Sequence, residues 1–380
     1  MTDLSTVRHA RSGLVSRGTR FAPGSSLLTR NAGSTVRSAL RAHRAFLTIV
    51  ASYLVCGLAV AAYLGRSIGF DLGIDFTPVL LLLAAVMLGV GASYLIYVQT
   101  VLRPQRMLRH CLTTAKEHIA LSPRLGNALS ALLGTAGLLV VTTYLRLMLP
   151  ELNFFAWDSA FTSLDKALHL GVHPWQITHA FAGSAVATYS MDLLYRAGIV
   201  WALLIWFRFA FAPDVTPLGR RFFIAFALIW AIGGGLLSVG FSAAGPAYYA
   251  FLVPGSSPYA PLFDALAVAD RTLDLWSLGA QEGIWAGFTG AGSAYAAAIS
   301  AMPSLTCAML ALVTAATYQM GKWLGHASSA MTVMSGVAAV HLGWNYAIDC
   351  YAGALLGLGM WSLAGLFAKG HTDQDADQGT

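Results

Sequence analysis

Two short stretches concentrate the residues able to do chemistry: AMPSLTCAM at 301–309 and HLGWNYAIDCYAG at 341–353. In the second, His341, Asn345 and Asp349 recur every four residues, which on one continuous helix stacks ring, carboxamide and carboxylate along a single face. Asn345 would then link a histidine to an acid by hydrogen bonds. Two helical turns measure about 11 Å, too far for Asp349 to orient the His341 ring directly. A structural, hydrogen-bonding histidine therefore competes with a nucleophilic one.

Other candidates lie outside the two stretches. Asp192 and Arg196 are spaced i, i+4 near the end of an apolar segment, which predicts an ion pair facing the bundle interior. Arg196, and Arg146 at another helix end, are available to a phosphate; snorkelling or structural pairing is the competing role. Asp158 and Asp165 stand seven residues apart with Lys166 alongside, a spacing open to an acid/base or metal pair and equally to solvated or capping carboxylates. Asp264, Asp270 and Asp274 read as a polar loop-helix face. His169, His173 and His179 could reach a nearby site or simply pack at an interface. Cys56, Cys111, Cys307 and Cys350 are too few and scattered for a disulfide framework or a zinc site, although Cys307 and Cys350 each directly follow a residue of interest. No metal and no cofactor is expected.

The elements that must position these residues are membrane helices. Hydrophobic residues make up 57% of the 380-residue chain and charged residues 11%, with a mean hydropathy of +0.64. That is too apolar for one soluble core and predicts an all-α, polytopic membrane helix bundle. Eight apolar segments are expected, at about 45–65, 77–102, 128–149, 187–211, 222–244, 303–321, 327–343 and 345–368, each near the ~20 residues that cross the hydrocarbon. With the N-terminus inside, Lys and Arg gather in 1–44, in 103–127, at Arg208, Arg220 and Arg221, and at Lys322 and Lys369. This asymmetry predicts cytoplasmic N- and C-termini and places both motif stretches at the outer face. The net charge of +6 is then a topology signal, and a nucleic-acid partner has no support. The expected organisation is a basic cytoplasmic tail (1–44), an extra transmembrane hairpin (45–102), a cytoplasmic loop (103–127), a six-helix domain (128–368) and a short tail (369–380). Two long outer connections, 150–186 and 245–302, are expected to be functional or to carry helices of their own. In the first, Trp157, Phe161, Leu164 and Leu168 share one face at helical spacing and read as an amphipathic helix at the membrane surface.

From about 128 to 368 the order of features resembles the type 2 phosphatidic acid phosphatase (PAP2) superfamily, in its inositolphosphotransferase and inositol phosphorylceramide synthase-like branch. WDSAFTSLDKALHLGVHPWQ, AGPAYY, MPSL and WNYAIDCYAG carry the resemblance, through their order and common sidedness. It implies a six-helix core and a lipid-phosphate substrate. It also implies a two-part site in which a histidine of HYxxD attacks phosphorus, an aspartate orients it, and a histidine of PSLH protonates the leaving oxygen. On that pattern Ser304 matches the phosphate-binding serine, Asp349 the orienting aspartate, and Tyr346 and Gly353 pattern positions. Thr306 replaces the acid/base and Asn345 the nucleophile. A carboxamide does not titrate near neutrality and is a very poor nucleophile, and a threonine hydroxyl is too weak an acid to replace an imidazole. The KxxxxxxRP motif of other branches is absent. Arg103-Pro104 lies on the wrong side of the membrane and lacks the lysine.

Three functions follow. The chain is a degenerate relative that binds a lipid phosphate, or a protein partner, at the outer face of a membrane, most naturally a bacterial inner membrane. Alternatively it is an active lipid phosphatase or phosphotransferase with another nucleophile such as His341. The third reading is a transporter-like lipid-handling protein, which has least behind it because the spans lack a chain of intramembrane acids.

Overall fold

The computed structural model describes residues 38–65, 123–290 and 299–377, and among these all regular secondary structure is helical. The second arm of the expected 45–102 hairpin, most of the 103–127 loop and most of the N-terminal tail lie outside the described residues. The first long helix is α1 (Arg44–Tyr63), followed by α2 (Pro123–Leu147). Two short helices come next, α3 (Asp158–Leu168) and α4 (Pro174–Ala182), then the long α5 (Ala185–Ala210). Helix α6 (Pro217–Leu228) runs on through a π-helical stretch, Ile229–Leu237, to Gly240. Three further short helices are α7 (Pro246–Leu252), α8 (Ala260–Asp270) and α9 (Trp276–Phe288). The chain ends in α10 (Leu305–Tyr318), α11 (Lys322–His341) and α12 (Ala347–Asp377).

Five of these helices are long and apolar enough to cross a membrane: α1, α2 from Gly126, α5, α6 with its π-helical extension, and α12 as far as Phe367. They agree with the expected segments to within a few residues. Helix α10 is apolar but shorter, at 14 residues. Helix α11 has the length but carries Lys322, His326, Ser328, Ser329, Thr332 and Ser335, so its composition falls short of a membrane span. Both pack inside the bundle, α10 most closely against α12 and α11, and α11 also against α5.

Close approach of α10 to α12 depends on glycine. A β-carbon at Gly353 would collide with the Ser304 carbonyl oxygen, and one at Gly357 with that of Ala308. Successive turns of α12 thus present bare backbone, and the N-terminus of α10 rests directly on it. The core beneath is aromatic-rich, with Phe46, Phe222, Phe223, Phe226, Trp206 and Phe209 packed where α1, α5 and α6 meet.

The two long connections do hold helices, α3 and α4 in the first and α7, α8 and α9 in the second. Helix α3 differs from its apolar stripe in one respect. It buries Asp158, Phe161, Thr162 and Asp165, and leaves Leu164, Leu168 and Trp157 exposed. The carboxylates point inward because each finds backbone N–H donors there, a stronger requirement than covering two leucines.

Candidate functional site

The two motif stretches meet where α10 and α12 begin. Ser304 is the N-cap of α10, its Oγ accepting from the Cys307 amide at 3.4 Å, as serine does at this position. The Ser304 amide donates to the Asp349 carbonyl at 3.0 Å, tying the start of one helix to the first turn of the other. Ser304 Oγ also donates to Asn345 Oδ1 at 3.3 Å, and Asn345 Nδ2 donates to the Ala301 carbonyl at 3.0 Å. Both ends of the carboxamide are used, and the side chain staples the two motifs together. Asp349 does not reach back to an imidazole. Its Oδ2 accepts the Tyr346 amide at 2.9 Å, closing the N-terminus of α12.

Helix α3 supplies the rest of that cap. Asp165 accepts the Ala347 amide on Oδ2 at 3.1 Å and the Ile348 amide on Oδ1 at 3.0 Å. One carboxylate thus takes two of the N–H groups that a helix start leaves without intrahelical partners, where the helix dipole favours an anion. Asp158, one further α3 face position away, accepts Ala244 N at 2.8 Å, Gly245 N at 2.9 Å and the Tyr346 hydroxyl at 2.7 Å. Gly245 has φ +90, a left-handed conformation that turns both amides toward the carboxylate and that a β-carbon would oppose. Asp158 and Asp165 are 0% and 2% exposed, and among the described residues no Lys or Arg pairs with either. Burial pushes both carboxyl groups above the usual carboxylate range, against the opposing pull of the amides that bind them. The space left among Asp165, Trp175, Tyr259, Asn345 and Tyr346 is only about 10 Å³, at the lower limit for one water.

Thr306 points to a different place. Its Oγ1 lies 3.4 Å from the hydroxyl of buried Tyr195 on α5, and it heads a cavity of about 310 Å³ between α2, α5, α6 and α10. That cavity is walled by Leu139, Ile199, Ala202, Trp206, Phe226 and Met309 among others. Its α6 wall includes Trp230 in the π-helical stretch, a local irregularity frequent at functional sites.

The predicted Asp192–Arg196 pair is formed, Arg196 Nη2 to Asp192 Oδ2 at 3.0 Å. Asp192 is fully buried, and its Oδ1 also accepts the amide and the hydroxyl of Ser277 on α9, at 3.0 and 2.5 Å. Trp344 Nε1 donates to the same Ser277 hydroxyl at 3.0 Å. Arg196 is therefore part of a network that clamps the second long connection over the residue preceding Asn345. Arg146 lies in the last turn of α2, its Nε buried without a hydrogen-bond partner among the described residues.

His341, Asn345 and Asp349 do not stack on one helix. Helix α11 ends at His341, the chain turns through Gly343 at φ +72, and α12 starts only at Ala347. The His341 ring is buried, with Nδ1 3.2 Å from Thr178 Oγ1 and Nε2 3.1 Å from Thr188 Oγ1. His179 stacks on it at 3.9 Å between centroids and meets its carbonyl through Nε2 at 3.0 Å. His169 lies 3.0 Å from the Tyr351 hydroxyl, and the His173 ring packs edge-on to Tyr259. Burial lowers the pKa of both His173 and His179. Among the described residues no three His, Cys, Asp or Glu side chains converge to hold a metal ion.

Of the site residues expected from the sequence, Ser304, Asn345, Tyr346 and Asp349 come together in one hydrogen-bonded group. Thr306 adjoins it through α10, while Arg196, Arg146 and His341 make no hydrogen bond or ion pair to it. Asp158 and Asp165 belong to the group, and their spacing of seven residues was the available signal.

Long apolar helices packed around a buried polar junction of two helix N-termini define an integral membrane helix bundle. A family model described as the PAP2 superfamily matches residues 159–363, more than half of the chain, and the protein belongs to that superfamily. No curated protein and no solved structure matches the chain.

Proposed function

We propose that this protein is an inositolphosphotransferase-like PAP2 member that binds a lipid phosphate at the outer membrane face without turning it over. The observation that carries this reading is the state of Asn345. It occupies the nucleophile position, and both ends of its carboxamide are committed, to Ser304 Oγ and the Ala301 carbonyl. A neutral amide held this way has neither the lone pair nor the freedom to attack phosphorus. At the acid/base position, Thr306 meets the Tyr195 hydroxyl, which supplies no proton near neutrality. Asp349, which orients a histidine in the working family pattern, caps α12 instead.

Retention of a lipid rests on the cavity headed by Thr306. It is apolar, lies among the membrane helices, and opens beside Leu305 and Thr306 in the first turn of α10, where the helix dipole favours an anion. A lipid chain in that cavity brings its phosphate to Thr306 and the start of α10. His341 offers no substitute nucleophile, since both ring nitrogens face threonine hydroxyls away from the junction.

Mass spectrometry of lipid co-purified with the full-length protein tests the binding half of the proposal. A phosphate-bearing lipid that is lost on Leu139→Trp, which fills the cavity, is the expected result. Retention of only neutral lipids, or of the same lipids by the variant, contradicts it.

A further inference from the structure

A second cavity lies at the far end of the bundle. From Asp349 to Phe367 helix α12 advances 18 residues, about 27 Å, so its far end reaches the opposite face of a bilayer. There a cavity of about 400 Å³ opens between α1, α6 and the end of α12. Its walls are apolar, with Phe46, Ile49, Phe223 and Leu228. Three arginines stand around it: Arg41 three residues before α1, Arg44 at its start, and Arg220 in the first turn of α6.

Three features make this a built site. First, none of the three arginines pairs with a carboxylate among the described residues, and Arg41 and Arg44 are i, i+3 neighbours whose like charges repel. The adjacent Arg221 shows the contrast: its Nε donates to the Trp361 carbonyl at 2.9 Å and its guanidinium lies 4.0 Å from that ring. Second, His43 lines the cavity while only 2% exposed, and neither of its ring nitrogens has a hydrogen-bond partner among the described residues. Its ring is fixed edge-on to Phe223 at 5.2 Å and to Phe46 at 6.1 Å. Burial lowers its pKa to about 4, so the imidazole is neutral and keeps one donor and one acceptor inside an apolar wall. Third, α1 precedes the residues matched by the family model, so half of this cavity is built by an element outside the family-matched region.

We propose that this cavity binds an anionic phospholipid of the adjacent leaflet, with its phosphate held by Arg41, Arg44 and Arg220 and an acyl chain against Phe46, Ile49 and Phe223. The charge requires an anion, and the apolar walls require that the anion carry a chain. The neutral His43 ring provides the hydrogen bond an ester oxygen can use in an otherwise apolar interior. The site stands apart from the Ser304–Asp349 junction, and the fate of either proposal does not decide the other.

Native mass spectrometry of the full-length protein, titrated with phosphatidylglycerol, phosphatidylcholine or inorganic phosphate, tests it. Wild-type protein is expected to retain phosphatidylglycerol over phosphatidylcholine, with no displacement by equimolar inorganic phosphate. The Arg41→Gln, Arg44→Gln, Arg220→Gln variant is expected to bind phosphatidylglycerol on the order of a hundredfold more weakly, from three lost surface charges. Ile49→Trp, which keeps every charge and fills the cavity, is expected to lose the lipid as well, with all proteins compared in a Leu139→Trp background so that lipid in the Thr306 cavity is not counted. Equal retention of the two lipids overturns the proposal, as does unchanged binding in either variant. Displacement by inorganic phosphate would identify a free-anion site and likewise overturn it.

Discussion

Replacing Asp165 by asparagine removes one acceptor from the cap of α12 and turns an NH₂ group toward a backbone amide. Asp165 accepts two amides, at 3.1 and 3.0 Å, and is 2% exposed, so water cannot substitute. Asparagine keeps one of these bonds as a weaker neutral one and leaves the other N–H unsatisfied. A hydrogen bond to a charged group is worth about 1.5–3 kcal/mol and an unmet buried donor costs about 1–3 kcal/mol, so a loss of roughly 2–4 kcal/mol is expected. At ~2–4 °C per kcal/mol for a domain of this size, the unfolding midpoint should fall by about 5–15 °C. Thermal unfolding in detergent reads the shift, and amide exchange at Ala347 and Ile348 locates it. Asp264→Asn, at an exposed position on α8, serves as the control and should shift little, within about 0.5 kcal/mol. If Asp165→Asn melts with the control, and exchange at the two amides is unchanged, the carboxylate cap is not what holds α3 to the motif junction.

Four further outcomes are expected. Tyr346→Phe deletes the 2.7 Å bond to Asp158 and should cost about 1–3 kcal/mol in the same unfolding assay, with little added loss when combined with Asp158→Asn. Gly353→Ala forces a β-carbon onto the Ser304 carbonyl and should destabilise by about 1–3 kcal/mol or more, read as lowered yield and melting midpoint. Burial raises the carboxyl pKa of both Asp158 and Asp165, so the folded protein binds protons more readily than the unfolded chain. Their contribution is then greatest below the ordinary carboxylate value of ~3.9 and is lost as pH rises through the raised folded value. On acidification toward that value the wild-type melting midpoint should rise relative to that of the Asp158→Asn, Asp165→Asn variant, while the lowered pKa values of His43, His173 and His179 act in the opposite sense in both proteins. Thr306→His with Asn345→His restores both imidazoles and should give slow phosphate release from phosphatidic acid; a well-folded double variant with none would mean that the surrounding cavity has diverged too.

The spans were legible because hydropathy alone marks α1, α2, α5, α6 and α12. Helix α11 was legible in position but not in character, since its serines and threonines face neighbouring helices; Ser328 accepts from Trp201 Nε1, and Thr332 meets Thr314. The π-helical Ile229–Leu237 left no trace beyond three consecutive glycines. At the site, the sequence brought Ser304, Asn345, Tyr346 and Asp349 into one group because motif order fixes which helix ends meet. It could not give the partners of Asp158 and Asp165, because backbone amides 86 and 182 residues away carry no side-chain signature. The His341–Asn345–Asp349 stack assumed an unbroken helix, and Gly343 with its left-handed turn is the residue that breaks it.

Phosphate release by the purified protein, supplied with phosphatidic acid or polyprenyl diphosphate, reads whether the site turns a substrate over. A rate no higher than that of a Ser304→Ala, Asp349→Ala control is expected. A robust release abolished by those two substitutions would contradict it and show that the site works without its histidines.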